Sequence, residues 1–522
     1  MEPIKQAIID VTLRADKGED DALINSFVEV GSVIPLLKSK NDYVLYGRRG
    51  SGKTHVLKYL QHKLTEEGDI CLYIDLRTIG SSASLYADSS IPFSQRTNRL
   101  MIDVVTEISN QLAAQINYLL PDNVNTFQKL NDLLNAFPQA WTEEVYSQNI
   151  RVEESTNYDS SSGTSTAIKL SPNPEINFSH SNNNVENSGK RVSREGSPVI
   201  SIKINLLMNL LDQFTDVIDR RIRILFDEYS VIPEELQPQL ADMIRRTLSP
   251  LKSVNFVIGA IEHRSTFKIV NSSSHYLGLE LGADASTINL DNILVFGNNQ
   301  SNSIIFFKDL LLKHINSVLP PESHYKNSDE IIRDLFTSDN TFIELVLAAE
   351  GVPRDFLSVL RKTIEHKPSG KIEVQDIRNA AREWYVQDKH TSVTGHDLAL
   401  RLLNWIIDKV IKGRKAKGFM LEQGKKDQLI IYLFDNRLLH IIKQGSSAKD
   451  QPGMRFDCYA IDYGCYVELI NTANKPKCLF EDEDLNVEVI PIEVPRDDYR
   501  SLRRSILNLD EFYESMEKRK EE

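Results

Sequence analysis

The sequence predicts an α/β protein: a parallel sheet with helices on both faces, then an all-helical segment, then a small helix-and-hairpin module. Three observations predict it. Short apolar runs of strand formers alternate with amphipathic stretches of helical spacing as far as about residue 298. From about 300 to 390 the pattern is helical throughout. Beyond 391, two helical stretches precede two apolar runs that flank the polar, glycine-containing segment 445–453, the mark of a β-hairpin.

The 522 residues exceed what one core accommodates. With 41% hydrophobic and 26% charged residues, the composition is that of a soluble globular protein. No apolar run approaches the roughly 20 residues that cross a bilayer. The start, from Met1 to Gln6, does not open a signal peptide, so a cytoplasmic location without membrane contact is expected. Four cysteines, Cys71, Cys458, Cys465 and Cys478, make no disulfide framework. The last three lie near His440, but no CxxC pair occurs, and buried thiols are expected rather than zinc ligands. A net charge of −13 argues against indiscriminate nucleic-acid binding and leaves room for one local basic patch.

The elements follow in order. Residues 1–40 form an N-terminal helical segment, mostly polar. The core, 41–298, opens with the strand Tyr43–Tyr46, then a helix with Val56, Leu57, Leu60 and Leu64 on one face, a strand at 70–76 and a helix at 98–118. Residues 150–200 are rich in Ser and Asn; the weak alternation at 167–170 and 176–180 suggests an inserted hairpin, with a surface loop as the other reading. A helix at 201–219, a strand at 223–228, a helix at 234–248, a strand at 254–261 and a fifth strand at 288–296 complete the core. The helical lid spans 299–390, with helices at 304–315, 329–336, 341–349, 355–366 and 374–386. Residues 391–475 resemble a winged helix, and 476–522 read as an acidic tail with a closing helix from about 497.

Gly47-Arg48-Arg49-Gly50-Ser51-Gly52-Lys53-Thr54 matches G-x-x-x-x-G-K-[ST] in full, with a strand before it and a helix after it. Glycines let the backbone fold around a phosphate so that successive N–H groups point inward. The helix adds its positive end. Lys53 is placed to neutralise the terminal phosphates of ATP, and the Thr54 hydroxyl to ligate Mg²⁺. The dinucleotide pattern G-x-G-x-x-G fails at His55. Asp227, at a strand end, is the second magnesium residue; Glu228 is the base that orients and deprotonates water. In Gly351-Val352-Pro353-Arg354, the arginine at a helix start is placed to reach the γ-phosphate from the lid.

This order of motifs resembles the AAA+ ATPases, and most the initiator-type branch of the origin-recognition family, whose lid is followed by a winged helix. The resemblance covers roughly 25–475. It implies Arg354 as sensor 2 and a polar sensor 1 after the 254–261 strand, where Glu262 and His263 stand in place of the family's usual Asn or Thr. It also implies an arginine finger offered to a neighbouring subunit, with Arg245, Arg246 and Arg264 as candidates. Asp227-Glu228-Tyr229-Ser230, with Ile232-Pro233, is similar to bacterial origin-recognition-like ATPases suspected of roles in phage defence.

Between 401 and 460 the chain carries twelve basic and six acidic residues, against the overall sign. Lys412, Arg414, Lys415 and Lys417 are candidates to grip DNA phosphates, or they form a solvated or protein-docking face. Two readings follow. One is an ATP- and magnesium-dependent switch, a homo-oligomer that engages duplex DNA. The other is a signalling or antiphage-defence scaffold whose winged helix binds protein. A small-molecule kinase is the third class, disfavoured because an Asp-Glu pair suits water activation.

Overall fold

The computed structural model describes residues 2–15, 18–80, 84–119, 124–145, 149–153, 191–195, 198–270, 275–294, 300–412, 418–423, 427–447, 453–471 and 505–521. Its centre is a five-stranded sheet of β1 (Tyr43–Tyr46), β2 (Ile70–Asp75), β3 (Ile222–Asp227), β4 (Val254–Ala260) and β5 (Ser286–Asn289). The order is β5-β1-β4-β3-β2, and every pairing is parallel. All residues of β3 and β4 are buried, which explains why apolar residues dominate both strands, Ile224–Phe226 in β3 and Phe256–Ala260 in β4.

Alternation along the strands divides the sheet between two cores. Leu45, Leu225 and Val257 join the helix Lys53–Glu66 and the lid. Val44, Ile224, Phe226, Phe256 and Ile258 face the helices Phe93–Leu119, Ile204–Ile218 and Gln237–Thr247. With both faces covered, the crevice beyond the carboxyl ends of the strands is where ligands meet such a sheet.

The lid comprises the helices Gln300–Asn316, Ser328–Leu335, Asp339–Ala349, Pro353–His366 and Val374–Trp384. The N-terminal helix Pro3–Asp10 packs on it through Ile4, Ala7 and Ile8. Its buried Lys5 donates to the carbonyls of Lys367 (3.0 Å) and Gly370 (2.5 Å), just past the end of a lid helix, where a cation meets orphan carbonyls.

The winged-helix-like module has its own core. It runs helix Asp397–Ile406, strand Gly418–Glu422, helix Gln428–Asp435 and hairpin Leu439–Ser447/Arg455–Ile461. Asp427 caps the second helix, accepting from the amides of Leu429 and Ile430. The fold class is the expected one as far as its architecture goes: an α/β core built on a parallel sheet, a helical segment after it, and a C-terminal module of helices and a hairpin. Among the described residues no helix is long and apolar enough to cross a membrane.

Four particulars differ from expectation. The fifth strand stops at Asn289 instead of running to 296, because the Asn289 side chain accepts from the Asp291 amide (2.9 Å) and starts the helix Leu290–Leu294. The strand Gly418–Glu422 and the helices Val124–Ala136 and Tyr463–Asn471 went unread. The insertion begins as two antiparallel ribbons, Trp141–Val145 with Pro198–Ile202 and Asn149–Glu153 with Arg191–Glu195; the expected hairpin at 167–180 lies outside the described residues. The closing helix is Leu509–Glu521, and it does not stand apart. Leu507, Leu509 and Phe512 are buried in the module, Phe512 edge-on to Trp405.

Candidate functional site

The 47–54 loop leaves β1 and enters the helix that starts at Lys53. Gly50 (φ +86°) and Gly52 (φ +97°) take the left-handed conformation that favours glycine. A Cβ on Gly50 would also lie 2.9 Å from the Cβ of Arg354, so glycine lets the lid approach the loop. The Arg354 amide donates to Gly50 O at 3.3 Å. Lys53 is buried, and its Nζ donates to Gly47 O (2.6 Å) and Arg48 O (3.3 Å). Burial pulls its pKa down from the ordinary lysine value, while the carboxylates of Glu228, Asp227 and Asp291 oppose that shift.

Asp227 is fully buried at the end of β3. Its Oδ2 accepts from Thr54 Oγ1 and from the Tyr73 hydroxyl, both at 2.7 Å, and its Oδ1 from the Glu228 amide at 2.8 Å. Burial, then the Asp227 charge, drives the Tyr73 phenol well above its usual pKa, so it stays a donor. Glu228 sits at φ +58°, ψ +36°, a left-handed conformation that costs a non-glycine residue about 1 kcal/mol or more and is concentrated at functional positions. Arg77, fixed by Asp75 (Nη2–Oδ2 2.6 Å), holds Nη1 3.9 Å from Glu228 Oε1.

Lys53, Thr54, Arg77, Glu228 and Arg354 border one cleft of about 390 Å³. Of the residues expected at the site, Arg49, Gly50, Gly52, Lys53, Thr54, Glu228 and Arg354 line it, and Asp227 stands behind Thr54. Adjacent hydroxyl and carboxylate oxygens suit magnesium, which prefers hard oxygen ligands and brings phosphate oxygens with it. Among the described residues no group of three His, Cys, Asp or Glu could hold a metal unaided.

Other expected residues lie elsewhere. Glu262 accepts from the Asn289 amide group (2.7 Å), and His263 meets Phe434 of the module edge-on; neither lines the cleft. Arg245 and Arg246 face Asp242 (2.7 and 3.6 Å), and Arg264 faces Asp435 (3.4 Å). Arg48 turns away, buried against the C-terminal module. Arg414, Lys415 and Lys417 lie outside the described residues, as does the side chain of Lys412. Tyr73 and Arg77 were missed. The available signal was alternation in β2, where polar Tyr73 and Asp75 flank buried Ile74, pairing with Leu225 and Asp227.

The far wall of the cleft includes His55 and His314. Burial, then His55, takes His314 down to about 4. Stability linked to a lowered histidine pKa is present above pH 6.5. It is lost as pH falls toward 4, because the unfolded chain then binds a proton that the folded chain refuses. A histidine exchange titration is expected to return about 4 for His314. A value near 6.5 would show a hydrated ring and sink the assignment.

Fold and site together give an α/β protein whose 47–54 loop, Glu228 and Arg354 share one cleft beside the parallel sheet. More particularly, residues 12–80 match the family model described as ORC-CDC6-like, and that match shows the resemblance to origin-recognition AAA+ ATPases. No curated protein matches the chain. Among solved structures it is similar to Cdc6p from Pyrobaculum aerophilum, at 11% identity and TM-score 0.32, covering 89% of this chain and 97% of that one. It is likewise similar to the Aeropyrum pernix Orc1 protein in complex with DNA, at 12% identity and TM-score 0.32, covering 89% and 95%. Likenesses this loose add no weight.

Proposed function

We propose that this chain binds and hydrolyses ATP with magnesium and acts as a nucleotide-dependent switch. It works as an oligomer and engages duplex DNA through the C-terminal module. The convergence of Lys53, Thr54, Glu228 and Arg354 on one cleft carries the reading. Lys53 and the helix start hold the phosphates; Glu228 takes a proton from the attacking water; Arg354 offsets charge that spreads over the γ-phosphoryl group. Magnesium, held by Thr54 and Asp227, neutralises charge on the phosphate oxygens when bound.

Lys53→Ala is expected to weaken ATP binding at least tenfold, about 1.4 kcal/mol, in calorimetry with magnesium. Unchanged affinity would remove this cleft from consideration. Hydrolysis with and without duplex DNA then tests the switch. Joint replacement of Lys412, Arg414, Lys415 and Lys417 by Glu is the DNA arm: salt-sensitive duplex binding that survives it excludes that patch.

One observation favours the scaffold reading. The helix Gln428–Asp435, in the position a winged helix uses to enter a DNA groove, lies against the core, Phe434 on His263 and Asp435 on Arg264. ATPase activity indifferent to DNA, with ATP-dependent growth in mass by light scattering, would select that reading.

A further inference from the structure

Arg48 belongs to the phosphate loop by sequence, yet its side chain is 2% exposed and spans three parts of the molecule. Its Nη1 lies 2.7 Å from His440 Nδ1 and 3.5 Å from Leu439 O, both at the root of the C-terminal hairpin. Its Nη2 donates to Glu350 O in the lid at 3.1 Å. Its Nε lies 3.4 Å from Asp291 Oδ1 in the core, and its guanidinium sits 5.1 Å from the centre of the Phe434 ring.

The protonation pattern follows from arginine being only a donor. His440 Nδ1 must accept, so its proton resides on Nε2, which donates to Asp462 Oδ2 at 3.1 Å. Burial, then Arg48, lowers the His440 pKa and keeps the ring in this neutral form. Asp462 in turn meets Lys389, which also meets Asp355, the neighbour of Arg354. One buried polar chain thus joins the phosphate loop, the hairpin and the start of the Arg354 helix.

The backbone of Arg48 is part of the cradle. Its carbonyl accepts from Lys53 Nζ, and its amide donates to Asp291 Oδ2 at 2.8 Å. A buried guanidinium is tolerated only while its partners stay in place. Movement of the module away from the core would strip three of those partners, His440, Leu439 and the Phe434 ring, and release the loop geometry that positions Lys53.

We infer that Arg48 is a positioning residue that ties the phosphate loop to the C-terminal module, so that nucleotide in the cleft and docking of that module strengthen each other. This rests on the nucleotide reading above. The coupling is reciprocal: whatever docking adds to ATP affinity, ATP adds to docking.

Hydrogen exchange of the full-length chain on a Glu228→Gln background, with ATP and magnesium as probe, tests it. ATP is expected to slow amides of 428–441 at least fivefold, with exchange in 222–227 as the control for intact folding. Arg48→Met keeps length and apolar packing. It is expected to speed exchange in 428–441 at least fivefold without nucleotide and to abolish the ATP response there, while ATP still protects 47–57. His440→Leu cuts the link from the other side, away from the cleft, and decides the matter should Arg48→Met not fold. ATP that binds by calorimetry but leaves 428–441 unmoved overturns the coupling alone. So does a normal response in both variants. Absence of ATP binding in the parent protein overturns the nucleotide reading itself, and the coupling with it.

Discussion

Replacement of Glu228 by Gln is expected to leave ATP binding intact while lowering kcat by roughly 10²- to 10⁴-fold, the range attributable to a positioned general base. The amide keeps the size and shape of the carboxylate but takes no proton from water. The left-handed backbone at Glu228 is set by the turn after β3, where the Asp227 carboxylate caps the Glu228 amide, so the variant keeps its conformation. Arg77, 3.9 Å away in this structure, loses only a distant ion pair. Single-turnover hydrolysis beside calorimetric binding separates the two effects, because a general base acts on chemistry and a misplaced cradle acts on affinity. Normal turnover in Glu228→Gln would show that the base is another group. Loss of binding would show that Glu228 shapes the cleft instead.

How much of this site was legible follows from how local each signal is. Residues 47–54 encode a complete cradle in eight consecutive positions, so the motif and its glycine geometry could be read from sequence. Asp227 and Glu228 were legible as polar residues closing an apolar strand, and Arg354 as the charge behind a helix-starting proline. Tyr73 and Arg77 depend on the β2–β3 pairing, which brings together residues some 150 positions apart. Arg48 reads as one more loop residue, since nothing nearby in sequence announces a socket at His440. The sensor-1 candidates fail to line the cleft for a local reason: after β4 the chain turns through the short 3₁₀ segment Glu262–Arg264. That turn delivers Glu262 to Asn289 and His263 to Phe434. The sheet was read well because its central strands are buried and mostly apolar, whereas the edge strand β5 is brief, partly exposed and ended by one asparagine side chain.

Lys389→Met is expected to be the most destabilising single change at the junction of lid and module, at about 3–5 kcal/mol, the usual cost of removing one partner from a buried ion pair. Lys389 is 2% exposed, with Nζ 2.7 Å from Asp355 Oδ2 and 2.5 Å from Asp462 Oδ2. Burial by itself pushes the Asp355 and Asp462 carboxyls up. For Asp355 the Arg437 and Lys389 charges overcome it, and for Asp462 Lys389 and His440 do, so both stay below the usual carboxylate range. Methionine fills the same volume, so a cavity is not the cause of the loss. It leaves two carboxylates without their shared cation, Asp355 still with Arg437 and Asp462 with only the neutral His440 ring and the Gly464 amide. The sign of the pH dependence distinguishes this from a packing defect. In the parent chain the lowered carboxyls contribute stability at neutral pH that is lost only at strongly acidic pH, below their unfolded values near 3.8. In the variant they gain by taking up protons, so its deficit is largest at pH 7–8 and shrinks toward pH 5. Thermal melts of both proteins across that range measure the gap; a gap constant with pH would mean that Lys389 acts through its packing and not its charge.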